Sequence, residues 1–175
     1  MSAAIAVPTS QSPCDCQYLL YPITTSLYDG STGITNTNVQ QGYIKNVEGN
    51  KTVVSSLVVF AVPSDWAGQK CKFVFNTKSK VPPRHIDLFT SLQPITLPIT
   101  GPGCKSPGSN NRNFFVGRFV VSGRGIAYWS ITSDKGPDFP CPAGEIVGYE
   151  LTPVYNTGEL AWPVEIGSGP MIAMR

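Results

Sequence analysis

A chain of 175 residues with a formal net charge of +2 and only 14% charged side chains has the length of one domain, able to bury about 70% of its unfolded surface in a single core. Its basic residues are dispersed, which excludes the charge footprint of nucleic-acid binding and a polybasic membrane patch. The 17 glycines and 16 prolines are scattered between short apolar runs, the pattern of many strands joined by turns.

The first 17 residues, which carry Cys14 and Cys16, read as an N-terminal segment, and residues 18–175 as one β-sandwich domain. The apolar patch in "MSAAIAVPTSQSPCDCQ" is too short for a signal peptide and follows no basic residue, so a mature N-terminus is expected. The sequon Asn50-Lys51-Thr52 fits passage through a secretory pathway, with Asn50 as the glycosylation site. "TVVSSLVVFAV" is then a long strand rich in β-branched residues. In "PSDWAGQ" the sequence predicts one helical turn capped by Ser64 or Asp65, with Trp66 turned toward solvent.

"QKCKFVFNT" alternates with period two, so Cys71, Phe73 and Phe75 share one face while Lys70, Lys72 and Val74 take the other. "NTKSKVPPRH" reads as an irregular mobile loop in which Lys78, Lys80 and Arg84 flank Pro82-Pro83 and offer an anion-binding rim or a peptide-contact surface. "TGPGCKSPGSNNRN" is a second such loop, and its Asn110, Asn111 and Arg112 have hydrogen-bonding side chains suited to sugars. "NFFVGRFVVSGRGIAYWSIT" divides at Arg124 into a hairpin with Phe115 to Val121 and Ile126 to Ile131 as arms. In "GEIVGYELTPV" Val147, Tyr149 and Leu151 lie on one side, and "LAWPVEI" and "PMIAMR" close the chain as strands.

No window of eleven residues carries an apolar stripe at helical spacing. The expected fold is all-β with almost no helix: an antiparallel β-sandwich of about 8–10 strands, immunoglobulin-like or jelly-roll. No run approaches the ~18 apolar residues of a membrane span, so no membrane insertion is expected.

Five cysteines without C-x-x-C spacing, beside a single histidine, point to disulfides and to neither a metal nor a cofactor. Cys71 on an inward strand face and Cys141 between Pro140 and Pro142 suit a bridge that ties the centre of the chain to its C-terminal part. Cys14 and Cys16 are too close to bridge each other. One of them, assigned to Cys16, reaches Cys104, and the other is free or pairs with another chain, giving a monomer or a disulfide-linked dimer.

"FAVPSDWAGQKCKFVF", "FPCPAGEIVGYEL" and the terminal "GPMIAMR" resemble the But-type C-terminal domain of fungal secreted and cell-surface proteins, a family named for binders of a ubiquitin-like-protein activating-enzyme subunit. The resemblance spans residues 18–175 and rests on the paired VPSxWAGxKC and CPAGxxVGYEL blocks. It implies a β-sandwich, a fungal source and an extracellular or wall-associated location, and it brings no catalytic residues with it.

The residues themselves point the same way. His85 lies two positions from Asp87 without a nucleophile placed beside it. Glu145 and Glu150, five apart on one expected strand, face opposite ways, and no pair of carboxylates is selected for glycoside hydrolysis. Aromatic platforms are better supplied: Trp66 with Tyr128, while Trp129, alternating with Ala127 and Ile131, is expected to fill the core and Trp162 to pack at an edge. The expected function is that of a secreted, non-catalytic binding or surface protein at a cell wall or host interface, or an effector or elicitor. Its partner would be a wall polysaccharide or a host or fungal protein. The alternative is a small polysaccharide-active enzyme or a carbohydrate-binding module.

Overall fold

The computed structural model describes residues 18–47, 52–92, 112–134, 136–154 and 158–175. The expectations for Cys14, Cys16, Cys104, Asn50, Asn110 and Asn111 lie outside these residues.

Twelve strands are present among the described residues: β1 (Tyr18–Leu20), β2 (Thr24–Asp29), β3 (Ile34–Asn36), β4 (Gln41–Asn46), β5 (Val53–Ala61), β6 (Lys70–Ser91), β7 (Arg112–Ile126), β8 (Tyr128–Thr132), β9 (Asp138–Pro140), β10 (Ile146–Pro153), β11 (Gly158–Pro163) and β12 (Gly169–Met174). The count exceeds the sequence reading partly because β1, β3 and β9 have three residues each, too few to show a period. Every ladder is antiparallel, and one path runs β1-β12-β6-β10-β5-β2-β3.

This continuous sheet folds over on itself to make the sandwich, and β6 is the element that turns the corner. Its first half pairs with β12, Cys71 opposite Met174 through Asn76 opposite Gly169. Its second half pairs with β10, Ile86 opposite Pro153 through Ser91 opposite Gly148. A straight strand of 22 residues would be about 73 Å long at ~3.3 Å per residue, too long for a domain whose radius of gyration is about 16 Å. Register shifts against β7 between Thr77, Val81 and Arg84 accommodate the bend.

The stretch read as the loop "NTKSKVPPRH" is therefore part of a strand. Pro82 and Pro83, which lack amide donors, fall where the ladder is already interrupted. The helical turn is a 3-10 turn at Ser64–Trp66 with Pro63 at its N-cap and no side-chain capping bond, so neither Ser64 nor Asp65 caps it.

Cys71, Phe73 and Phe75 join Phe60, Ile86, Leu88, Phe119, Tyr149, Leu151 and Ile172 in one core between the layers, each large apolar side chain contributing about 1.5–3 kcal/mol. Val74 faces away, in a small second cluster with Met171 and Ala173, as period two requires. Aromatic contacts knit the core: Phe73 lies 5.3 Å from Tyr149 and Phe75 lies 5.0 Å from Trp162. The Cys71–Cys141 disulfide forms, with a Cα separation of 4.9 Å. Cys141 follows β9, which pairs with the start of β6. The bridge thus reinforces a ladder of three residue pairs.

Candidate functional site

The alternation that sends Ile86 and Leu88 into the core turns His85, Asp87 and Phe89 outward on β6. Register then sets their neighbours, because directly opposed residues share a face. His85 is opposite Val120, which is opposite Tyr128; Asp87 is opposite Arg118, which is opposite Ile131; Phe89 is opposite Phe115. From β10, Glu150 stands opposite Phe89. The outer face of β10, β6, β7 and β8 thus gathers aromatic, aliphatic and ionic side chains.

A bulge makes the β8 part of this face. Phe119 is opposite Trp129, but Arg118 is opposite Ile131, leaving Ser130 as the extra residue. Tyr128 and Ile131, three apart, consequently both point outward, where Tyr128 is 60% exposed. Strict alternation had placed Ile131 inward with Trp129, and the bulge corrects that. Trp129 is partly buried, 5.5 Å from Phe119. Its ring lies over Gly117, where a Cβ would come within 2.9 Å of it. The hairpin pairs only Gly117–Val120 with Tyr128–Thr132, and the chain around Arg124 leaves β8 to pair with β6.

Two carboxylates sit diagonally on this face, and each is gripped by one arginine. Arg118 donates from Nε and Nη2 to Asp87 Oδ1 and Oδ2 at 2.6 and 3.0 Å. Arg112 donates from Nε and Nη2 to Glu150 Oε2 and Oε1 at 2.8 and 2.7 Å. These hydrogen bonds push both guanidinium groups above the usual arginine range, against the opposing effect of burial. Glu150 is 1% exposed. A glycosidase acid must offer a proton to a leaving oxygen. Here both oxygens of each carboxylate accept charge-assisted bonds. Glu145 lies before β10 begins, so the expected relation of Glu145 and Glu150 on one strand does not arise.

The other expected site residues are spread over the fold. Trp66 is 6% exposed and belongs to the core; the 3-10 turn rolls its ring under the sheet, and it offers no platform. Trp162 is buried against Phe75, as a packing residue. Lys78 donates to Glu165 Oε1 at 2.8 Å and to the Ile166 carbonyl at 2.9 Å. Arg84 donates through Nε to the Glu159 carbonyl at 3.1 Å. Both cations therefore fasten β6 to β11 and the turn after it, while Lys80 of the expected anion rim is exposed.

Tyr128 is the expected residue that the fold places on the gathered face. Sequence reasoning named Arg112 as a loop residue and Asp87 as a neighbour of His85, and it missed Arg118, Phe89 and Phe115. Alternation with Ile86 and Leu88 marks Asp87 and Phe89 as outward, but their β7 partners follow from ladder register, which has no local signal. Among the described residues no group of three or more His, Cys, Asp or Glu could hold a metal, and no helix is long and apolar enough to cross a membrane.

Fold and face together define a disulfide-tied all-β domain with a mixed aromatic and ionic sheet surface. No protein-family model matches the chain, and no curated protein matches it.

Proposed function

We propose that this protein is a secreted, non-catalytic binding domain that engages a cell-wall polysaccharide across the outer face of β6, β7 and β8. The observation that carries the reading is the exposed Tyr128 ring standing beside Ile131 and the Arg118–Asp87 pair. A sugar's C–H face stacks on such a ring, and the Arg118 guanidinium and Asp87 carboxylate beside it offer donors and acceptors to sugar hydroxyl groups. The Cys71–Cys141 bridge favours an oxidising, extracellular compartment. The resemblance of Phe60–Phe75 and Phe139–Leu151 to the But-type domain supports a fungal, wall-associated role, including that of an effector or elicitor at a host surface.

Sedimentation with insoluble chitin, β-glucan and cellulose tests this, using the oxidised protein and its Tyr128→Ala variant. Saturable retention that the variant loses while keeping its near-ultraviolet circular dichroism supports the assignment. Retention unchanged in the variant removes Tyr128 from the site, and no retention on any matrix removes the polysaccharide and leaves a host or fungal protein as partner. Release of reducing sugar that Asp87→Asn abolishes would establish the polysaccharide-active enzyme instead.

A further inference from the structure

At one flank of the sandwich, β1 leaves β12 after Leu20 and the chain crosses to β2 through Tyr21 and Pro22. Beneath this crossover lies a cleft of about 220 Å³ whose walls include Tyr21, Pro22, Trp162, Val164, Ile166 and Pro170. Most of the wall is apolar, with Thr25, Glu165 and Ser168 as its polar members. The volume suits one aliphatic or aromatic side chain, against the roughly 300–1,000 Å³ of ordinary small-molecule sites.

The turn that forms one wall is held firmly. Lys78 takes the Glu165 carboxylate and the Ile166 carbonyl, Asn76 donates to the Gly167 carbonyl at 2.7 Å, and the Ser168 amide donates to the Glu165 carbonyl at 3.2 Å. At its tip Ile166 is 78% exposed, the highest value among the exposed large apolar residues described. A pinned aliphatic side chain thus projects beside an apolar cleft of a size to receive it.

We propose that this flank is a two-fold interface between copies of this chain, in which Ile166 of each copy fills the cleft of the other. An isologous contact needs knob and hole on the same patch, and both are present. The rim is charge-complementary to itself. Glu165 and Lys78 form a half-exposed pair at 2.8 Å, so the rim offers both signs of charge to an identical rim. Fixing the turn in advance lowers the ordering cost of association.

Sedimentation equilibrium of the whole chain between micromolar and several hundred micromolar tests the proposal, beside a non-reducing denaturing gel. The expected result is a concentration-dependent dimer that runs as a monomer on the gel. Ile166→Asp should weaken it by about 30-fold or more, the scale of an interface hot spot. Ile166→Leu should retain it. Because Ile166 is exposed, the Asp variant should unfold at the same urea concentration as the parent. A monomer at every concentration, a dimer that Ile166→Asp leaves intact, or a dimer held covalently on the gel would overturn the proposal.

Discussion

Arg112 closes over Glu150 with two hydrogen bonds of 2.7 and 2.8 Å, its guanidinium carbon 4.6 Å from the centre of the Phe89 ring. The carboxylate is buried, whereas the arginine side chain is 45% exposed. The two halves of the pair therefore carry unequal costs. Arg112→Met removes two charge-assisted bonds from a buried carboxylate and should cost about 3–5 kcal/mol, while Glu150→Gln leaves an arginine able to turn to water and should cost about 1–3 kcal/mol. Urea unfolding of both variants distinguishes them, and equal losses would contradict the asymmetry.

Trp162 is seated between two glycines. A methyl at Gly42 or Gly169 would overlap the indole, and either change to Ala should cost about 1–3 kcal/mol through overpacking. Gly169 and Gly68 share a φ of +76°, but the space around Gly68 is open. Gly68→Ala should thus cost only the backbone term of about 1–2 kcal/mol. Chemical denaturation should rank Gly169→Ala below Gly68→Ala in stability, and the reverse order would remove the steric argument.

The Cys71–Cys141 bridge closes a span of 70 residues. Replacing both cysteines with Ala should lower stability by up to about 4 kcal/mol, the loop-entropy scale for that length. A thermal melt that barely moves would mean that the β6–β9 ladder orders this part of the unfolded chain without the bridge.

Tyr43 donates to Glu159 Oε2 at 2.7 Å. Burial, and then the Glu159 hydrogen bond, pushes its hydroxyl up to about 12. The stability this contributes is complete below the unfolded value of about 10 and disappears as pH rises through about 12. Absorbance titration at high pH should show a phenol ionising near 12 that is missing in Tyr43→Phe. If the same curve is obtained from both proteins, Tyr43 is not the group.

What the sequence determined by itself is the chemistry of alternation. Cys71, Phe73 and Phe75 face inward and Val74 outward, because adjacent residues of a strand must point opposite ways whatever surrounds them. The all-β class and the Cys71–Cys141 bridge follow from that period and from inward placement. Tertiary structure decided where alternation is broken and which strands meet. The bulge at Ser130 turns Ile131 outward, and the interruptions around Pro82-Pro83 carry a proline-rich stretch through β6 as strand. The partners of Asp87 and Glu150 lie 31 and 38 residues away. Burial of Trp66 also depends on the packing of remote strands over its turn. Period is written in neighbouring residues. Register and burial are set by contacts between distant ones, which only the closed sheet brings together.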